Sequence, residues 1–341
     1  MFDPKYTVSS RLLENIKRIA TLTYELNSKH FPKVVLMTLM QRAHEISAHA
    51  STSIEGNPLP LTEVKRILKS KPQYISDTER EVLNYNKALL WLDESAKKEP
   101  KLDLSLILDI HATVMEKLMS ASQRGKIRQE PVFVNDPVER KTVYWPPDHQ
   151  EVEALMKELL GYVAKNGKKI DPLVLAGIFH KQFVVIHPFT DGNGRTVRLA
   201  TKVLLSAMGL NTFNLFSFEN YYNQNVSKYF EYVGVRGSYY DICEQIDFTA
   251  WLEYFTDGII DEFLRVSKTL SEKSITPETI IKPHHQKILE YLKKHDFITD
   301  SIYSTITERA KPTRNQDLNR LIDLGLIERV GKGKATIYRL Q

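Results

Sequence analysis

The 341-residue chain has 47 Lys and Arg against 42 Asp and Glu, a formal net charge of +5, with 42% hydrophobic and 26% charged residues. That is ordinary globular composition, enough for real cores, and at roughly 100–200 residues per domain the length favours two domains. The single cysteine, Cys243, excludes an internal disulfide and a thiolate metal cluster, and no apolar run approaches membrane-spanning length. No leader pattern opens the chain, so a soluble, cytoplasmic protein with no membrane partner is expected. The charge is unevenly placed. Ile281 to Gln341 holds twelve Lys and Arg against seven Asp and Glu, and the remainder, with 35 of each, is neutral. The basic excess hints at nucleic acid for that last part alone.

In chain order, residues 1–33 read as an N-terminal helical arm, with Leu12, Leu13, Ile16, Ile19, Ala20 and Leu26 at helical spacing. A longer helix over Val34 to Glu55 buries Leu36, Leu39, Met40, Ala43, Ile46 and Ala50. It stops at Gly56-Asn57-Pro58, a glycine cap followed by a residue that cannot continue a helix. Glu55 has the wrong sign for the last turn, where the helix dipole is negative. Further helices are expected from Thr62, from Asp77 or Thr78, and over Leu104 to Leu118. The pattern then changes. Pro131-Val132-Phe133-Val134, a turn at Asn135-Asp-Pro137, and Lys141-Thr-Val-Tyr144-Trp145 read as a β-hairpin. A lone hairpin is marginal in water, so it must lie on a helical body or a ligand. Helices follow over Glu151 to Lys165 and Leu173 to Val185, then two or three more from Asn220 to Leu270. Polar 271–282 reads as a linker. Beyond it, three helices, the last ended by Gly325, precede strand, turn and strand at Leu326–Val330, Gly331–Lys334 and Ala335–Leu340, a winged-helix arrangement over 283–341.

The chemistry concentrates in His187-Pro-Phe-Thr-Asp191-Gly192-Asn193-Gly194-Arg195-Thr-Val-Arg198. An apolar helix ends before it and another begins inside it. A glycine-bearing loop that opens a helix suits anions, because free N–H groups and the positive dipole end point the same way. Arg195 and Arg198 lie three apart and can bracket a polyphosphate. Asp191 can hold a divalent metal and His187 can move a proton, so the stretch reads as a nucleotide site with a built-in base. Asp191 and Asn193 suit a turn as well. His44, His49, His111 and His180 read as core or helix-face histidines, and Trp251, Tyr254 and Phe255 as core.

Ile186 to Arg198 resembles the full signature of Fic-domain proteins. The resemblance extends to Asn84-Tyr85, His111, Gly125-Lys-Ile-Arg128, Tyr144 with Pro146-Pro147, and His180, and covers roughly residues 34 to 260. It implies a mainly α fold, a Fic-type helical bundle over 34–270 with a β-hairpin flap, beside the winged helix. It also implies transfer of AMP from ATP to a Ser, Thr or Tyr hydroxyl of a target protein, releasing pyrophosphate. His187 would be the base and Asp191 would hold Mg2+. Gly192, Asn193 and Gly194 would form the anion hole, with Arg195 and Arg198 on the outer phosphates. Glycine at 194 favours AMP transfer over the phosphotransferase branch, where a larger basic residue fills that space. Tyr229 sits where the family has an aromatic at the nucleotide, and Val235 to Tyr240 departs from the pattern. Ser51-Thr-Ser-Ile-Glu55-Gly56 resembles the inhibitory motif of the family, which implies Glu55 paired with Arg198 until a partner or self-modification withdraws the helix. In some relatives that glutamate also supports removal of AMP. Val132, Phe133, Val134 and Tyr144 would form the flap on which a target segment lies as an added strand. A homodimer is implied too, as the family often dimerises. The winged helix would dock DNA through Arg314, Asn315, Arg320, Lys332 and Lys334, or equally a protein. Two other readings stay open: a nucleotide-sensing DNA-binding regulator, or a transferase with a different donor, such as another nucleotide or a phosphocholine carrier.

Overall fold

The structure is a computed structural model that describes residues 2–28, 33–70, 74–96, 102–136, 141–207, 209–210, 215–273, 281–292, 294–324, 326–331, 333 and 336–340. It is mainly α-helical, and the chain divides into two compact units. The first holds Met1–Ser28 and Arg42–Val266, and the second holds Lys29–Gln41 and Ser267–Gln341. Most of the linker expected at 271–282 lies outside the described residues.

The first unit is built on α7 (Pro172–Ile186) and α8 (Asn193–Ala207). In α7 every residue except Pro172 and Val184 is fully buried. A helix apolar all round belongs at the centre of a domain, and α6 (His149–Asn166) and α8 both pack against it. Asp171 caps it, its side chain accepting from Leu173 N at 2.9 Å, and Pro172 takes the first position, where its missing N–H costs nothing. Around this pair stand α3 (Leu61–Ser70), α4 (Asp77–Ala96) and α5 (Leu104–Val114), with α2 (Lys33–Ile54) contributing its C-terminal half to this unit.

The N-terminal arm, α1 (Ser10–Asn27), is part of this body. Lys5 forms a parallel bridge to Asp247, and its carbonyl accepts from Phe248 N at 2.9 Å. Asn15, 8% exposed, donates to Thr256 Oγ1 (3.0 Å) and Asp257 Oδ1 (2.8 Å) on α12 (Thr249–Lys273), and Ser9 donates to Glu253.

Several expected elements differ. Thr62 lies inside α3 and does not cap it. The helix expected to Leu118 ends at Val114, because Met115 leaves the helical region (φ −97°, ψ 14°) and Lys117 adopts a positive φ of 59°. The first hairpin strand, β1, is Val134–Asp136, so Val132 and Phe133 precede it, and Asn135 and Asp136 are strand instead of turn. β2 (Lys141–Trp145) pairs antiparallel with β1, with a register irregularity between Val134 and Asn135. The hairpin is not two-stranded. β3 (Gly237–Ser238) pairs parallel with β2, Tyr144 opposite Gly237, giving the order β1-β2-β3. Four helices occupy 219–273, namely α9 (Glu219–Gln224), α10 (Val226–Val233), α11 (Tyr239–Ile242) and α12, where two or three were expected.

The second unit contains α13 (Pro283–Leu292), α14 (Asp300–Ile306), α15 (Lys311–Asp323) and an antiparallel pair, β4 (Ile327–Val330) with β5 (Ile337–Leu340). Ile288, Leu292, Ile298, Tyr303, Leu318, Leu321, Ile327 and Tyr338 form its own core. Gly325, Lys332 and Lys334 lie outside the described residues.

Candidate active site

α7 ends at His187, whose backbone is left-handed, φ 53° and ψ 61°. Such a conformation costs a non-glycine residue about 1–3 kcal/mol and persists only where its surroundings impose it. Arg128 imposes much of it. The guanidinium, 3% exposed, donates from Nε to His187 O (2.8 Å), from Nη1 to Glu130 O (3.1 Å) and from Nη2 to Pro147 O (2.5 Å), and its own N–H donates to Pro188 O at 3.0 Å. One side chain therefore joins the start of the motif to both ends of the flap. The Arg128→Ala chain is expected to lose about 3 kcal/mol or more in urea unfolding, because hydrogen bonds to charged groups contribute about 1.5–3 kcal/mol each and the carbonyls would be orphaned.

The His187 Nδ1 lies 3.3 Å from Val184 O, which can only accept, so this nitrogen carries the proton and Nε2 keeps its lone pair. Loss of water around the ring pushes its pKa down to about 4, with Arg128 adding to the shift, so the imidazole is neutral near pH 7. His111 is pushed to about 4 by burial, and His180 well below its ordinary value by burial and then Arg198. His111 Nδ1 accepts from Gly125 N (3.0 Å) while Nε2 donates to Asp191 O (3.0 Å), and its ring stacks on Phe189 at 3.7 Å. It is a brace for the loop. The three neutral histidines give a signed expectation. Their folded pKa values lie below the unfolded value near 6.5, so the unfolded chain binds more protons in between. Stability is present above pH 6.5 and is lost as pH falls from there through about 4, which melting curves across that range will read.

The loop after His187 is closed by Asn193. Its Oδ1 accepts from Phe189 N (2.9 Å) and its Nδ2 donates to Phe189 O (2.8 Å). Gly192 takes φ 77°, and a Cβ there would meet Met115 Sδ at 2.7 Å, so glycine is required twice over. Thr196 N–H closes on Gly192 O at 3.0 Å, so the N–H groups of Asn193, Gly194 and Arg195 lie at the open end of α8.

A carboxylate sits over that end. A Cβ on Gly194 would fall 2.1 Å from Glu55 Oε1, which shows how closely the acid approaches the backbone. Glu55 Oε1 also accepts from Arg198 Nη2 at 2.7 Å, and Ser51 holds the same guanidinium through Oγ (Nε, 2.8 Å) and its carbonyl (Nη2, 2.8 Å). Arg198 and Ser51 are both 0% exposed, and Arg198 Nη1 has no hydrogen-bond partner. Burial disfavours the Arg198 charge, but Glu55 with Tyr229 and Tyr85 together outweigh it and raise the pKa. Arg195 is directed elsewhere. Its Nη2 is 3.3 Å from Asp191 Oδ1 and its Nη1 is 3.4 Å from Glu81 Oε1. Both arginines thus face carboxylates.

The Asp191 side chain is 64% exposed, and its Oδ1 accepts from Gly192 N at 2.5 Å as well as from Arg195. A single open carboxylate beside an anion cradle fits Mg2+, which takes one or two protein carboxylates and fills its shell from phosphates and water.

Tyr229 and Tyr144 are both buried. Tyr229, expected at the nucleotide, is 1% exposed, stacked on Tyr222 at 4.7 Å, and its hydroxyl is 3.0 Å from His180 Nε2. Its hydroxyl meets the His180 ring from α10. Tyr144 is 3% exposed and donates to Val185 O at 2.7 Å, so it supports the end of α7 from beneath the flap, while Phe133 (58%) and Trp145 (45%) are exposed. Sequence reasoning missed Asn57 and Glu81. Asn57 Nδ2 donates to Thr78 O (2.9 Å) and Glu81 Oε2 (2.7 Å), which pins the end of the Glu55 turn to α4 beside Arg195. An asparagine directly after a helix-ending glycine was the available signal.

The comparisons with known proteins agree with this geometry. The Fic/DOC family model matches residues 101–205. The chain is 30% identical over 164 residues to protein adenylyltransferase Fic of Nematostella vectensis, covering 47% of this chain and 36% of that protein. It is 28% identical over 180 residues to protein adenylyltransferase fic-1 of Caenorhabditis elegans, covering 51% and 34%. The chain thus spans about a third of the length of these curated relatives. A Fic family protein from Desulfovibrio desulfuricans superposes with a TM-score of 0.66 at 20% identity, over 100% of this chain and 98% of that one. Fic-1 (aa134–508) from C. elegans gives 0.62 at 22%, over 78% and 75%. The fold is that of the Fic proteins. The chain carries a Fic domain, and its histidine-to-arginine motif is the one described above. Among the described residues, no helix is long and apolar enough to cross a membrane.

Proposed function

We propose that this chain is a protein adenylyltransferase, held inactive by its own Glu55. The observation that carries the reading is the Glu55 carboxylate lying over Gly194 at the start of α8, where it is held by Arg198. An acid side chain there marks the place of a phosphate.

In the reaction, the hydroxyl of a target Ser, Thr or Tyr loses its proton to His187 Nε2, and its oxygen forms a bond to the α-phosphorus of ATP. The bond from that phosphorus to the bridging oxygen breaks, and pyrophosphate leaves with the electron pair. The N–H groups at the start of α8, with Arg198, hold the phosphates, and positioning carries most of such a transfer. Arg195, between Asp191 and Glu81, holds the Asp191 carboxylate in place. Asp191 is the residue that would hold Mg2+, which when bound neutralises phosphate charge. The target lies along the open edge of β1, beside Val132, Phe133 and Val134, so its hydroxyl is presented to His187.

The second unit is read as a winged helix that docks a protein. Arg314, expected toward DNA, is held by both oxygens of Asp300 at 2.8 and 2.9 Å, which removes much of the charge a phosphate would meet. The donor test uses ATP labelled on the α- or the γ-phosphate. Label from the α position should enter protein and label from the γ position should appear in pyrophosphate; entry of γ label into protein would make the enzyme a kinase instead.

A further inference from the structure

The second unit contains a polar cluster that the nucleotide site does not use. His284 and His285 lie in the first turn of α13, and Asp317 lies on α15. His284 Nε2 is 3.2 Å from Asp317 Oδ1, and His285 Nε2 is 3.4 Å from the same oxygen. One ligand atom from each residue lies within 4.8 Å of the others. With zinc–nitrogen and zinc–oxygen bonds of about 2.0–2.2 Å, neighbouring ligand atoms of a tetrahedral site stand about 3.3 Å apart. Two of the three edges already have that length. We propose that His284, His285 and Asp317 form a site for a divalent transition metal such as Zn2+.

Two features support it. The carboxylate is oriented from behind, since Tyr303 donates to Asp317 Oδ2 at 2.9 Å, leaving Oδ1 toward the histidines. Ligating carboxylates are commonly fixed in this way by an outer shell. Lastly, a cation already stands there and fits poorly. Arg309 places Nε 2.7 Å from Oδ2, yet that nitrogen makes no aligned hydrogen bond; Nη2 is 3.3 Å from Oδ1, and Nη1 is 3.5 Å from His284 Nδ1. Arg309 is 34% exposed, so it can leave for water when the metal enters. His285 Nδ1 is buried without a partner whichever nitrogen holds the proton, so ligation at Nε2 creates no new orphan. The metal would tie α13 to α15 inside the second unit.

The test is calorimetric titration of the full chain, stripped with chelator, with ZnCl2 at neutral pH, and Co2+ spectra to report coordination. One Zn2+ per chain is expected, unchanged in Asp191→Ala and lost in His284→Gln and His285→Gln. His284, at 18% side-chain exposure, is the variant least able to disturb folding, and circular dichroism checks each protein. Tyr303→Phe should bind about 10- to 100-fold more weakly through loss of the outer shell. Arg309→Gln should bind more tightly, because the competing cation is gone. No uptake by the wild type, or equal uptake by wild type and folded His284→Gln, overturns the proposal.

Discussion

The Glu55→Gly chain is expected to label itself with the α-phosphate of ATP about 10- to 100-fold faster than the wild type, the equivalent of losing one charge-assisted hydrogen bond of about 1.5–3 kcal/mol. The bond in question joins Glu55 Oε1 to Arg198 Nη2 at 2.7 Å. In the wild type a phosphate must displace this carboxylate before it can reach either the guanidinium or the N–H groups beside Gly194. Glycine removes the competitor without removing the support. Ser51 still accepts from Nε through its hydroxyl and from Nη2 through its carbonyl, so Arg198 stays aimed at the cradle. The substitution also leaves a buried guanidinium without its counter-charge, which is costly. The variant should therefore melt at a lower temperature than the wild type without ligand, and ATP should raise its melting temperature more. Faster labelling and tighter ATP binding go together on this account. If neither rises, Glu55 is a structural ion pair and the inhibitory reading is wrong.

The second large effect is loss of the base. In the Glu55→Gly background, which supplies a measurable rate, His187→Ala should slow transfer by about 10²- to 10⁴-fold, the usual contribution of a positioned general base. ATP affinity should change little, because the phosphate-holding groups lie on α8 and its N-terminus. Stability should change little as well. Alanine keeps the backbone N–H to Phe183 O at 3.0 Å and the carbonyl that accepts from Arg128 at 2.8 Å, and only the 3.3 Å contact from the ring to Val184 O disappears. A folded His187→Ala chain that transfers at the parent rate would remove His187 from the mechanism.

The parts of the fold readable from the sequence are those fixed over a few residues. The end of α2 was announced by Gly56, because caps and fixed φ angles act within one turn. The burial of α7 follows from an apolar run with no polar face. The arm at α1 was readable as a helix from Leu12, Ile19 and Leu26, but its attachment was not. Its partners, Thr256 and Asp257, lie 241 and 242 residues away, and nothing local encodes such a pairing. β3 failed for a similar reason, since two residues carry no alternation and pair only because β2 is beside them. Tyr229 at the nucleotide and Tyr144 in the flap were implied by the resemblance, and an aromatic looks the same in sequence whether it faces a ligand or the core. Their burial, at 1% and 3% exposed, comes only with the packing.

At the site the same division holds. His187, Asp191, Gly192, Asn193, Gly194, Arg195 and Arg198 fall within twelve residues, so a helix end, a turn and a helix start bring them close together, and their spacing alone suggested a phosphate-binding stretch. The sequence by itself also placed Glu55 in an unfavourable last turn, and the resemblance named its partner. Only the tertiary structure brings that carboxylate across 143 residues to Arg198, uses Arg128 to hold His187 in a left-handed backbone, and sets Asn57 and Glu81 beside Arg195. The physical reason is that a short motif closes through local backbone geometry, whereas the groups that restrain it meet only when separate helices pack around one buried α7–α8 pair.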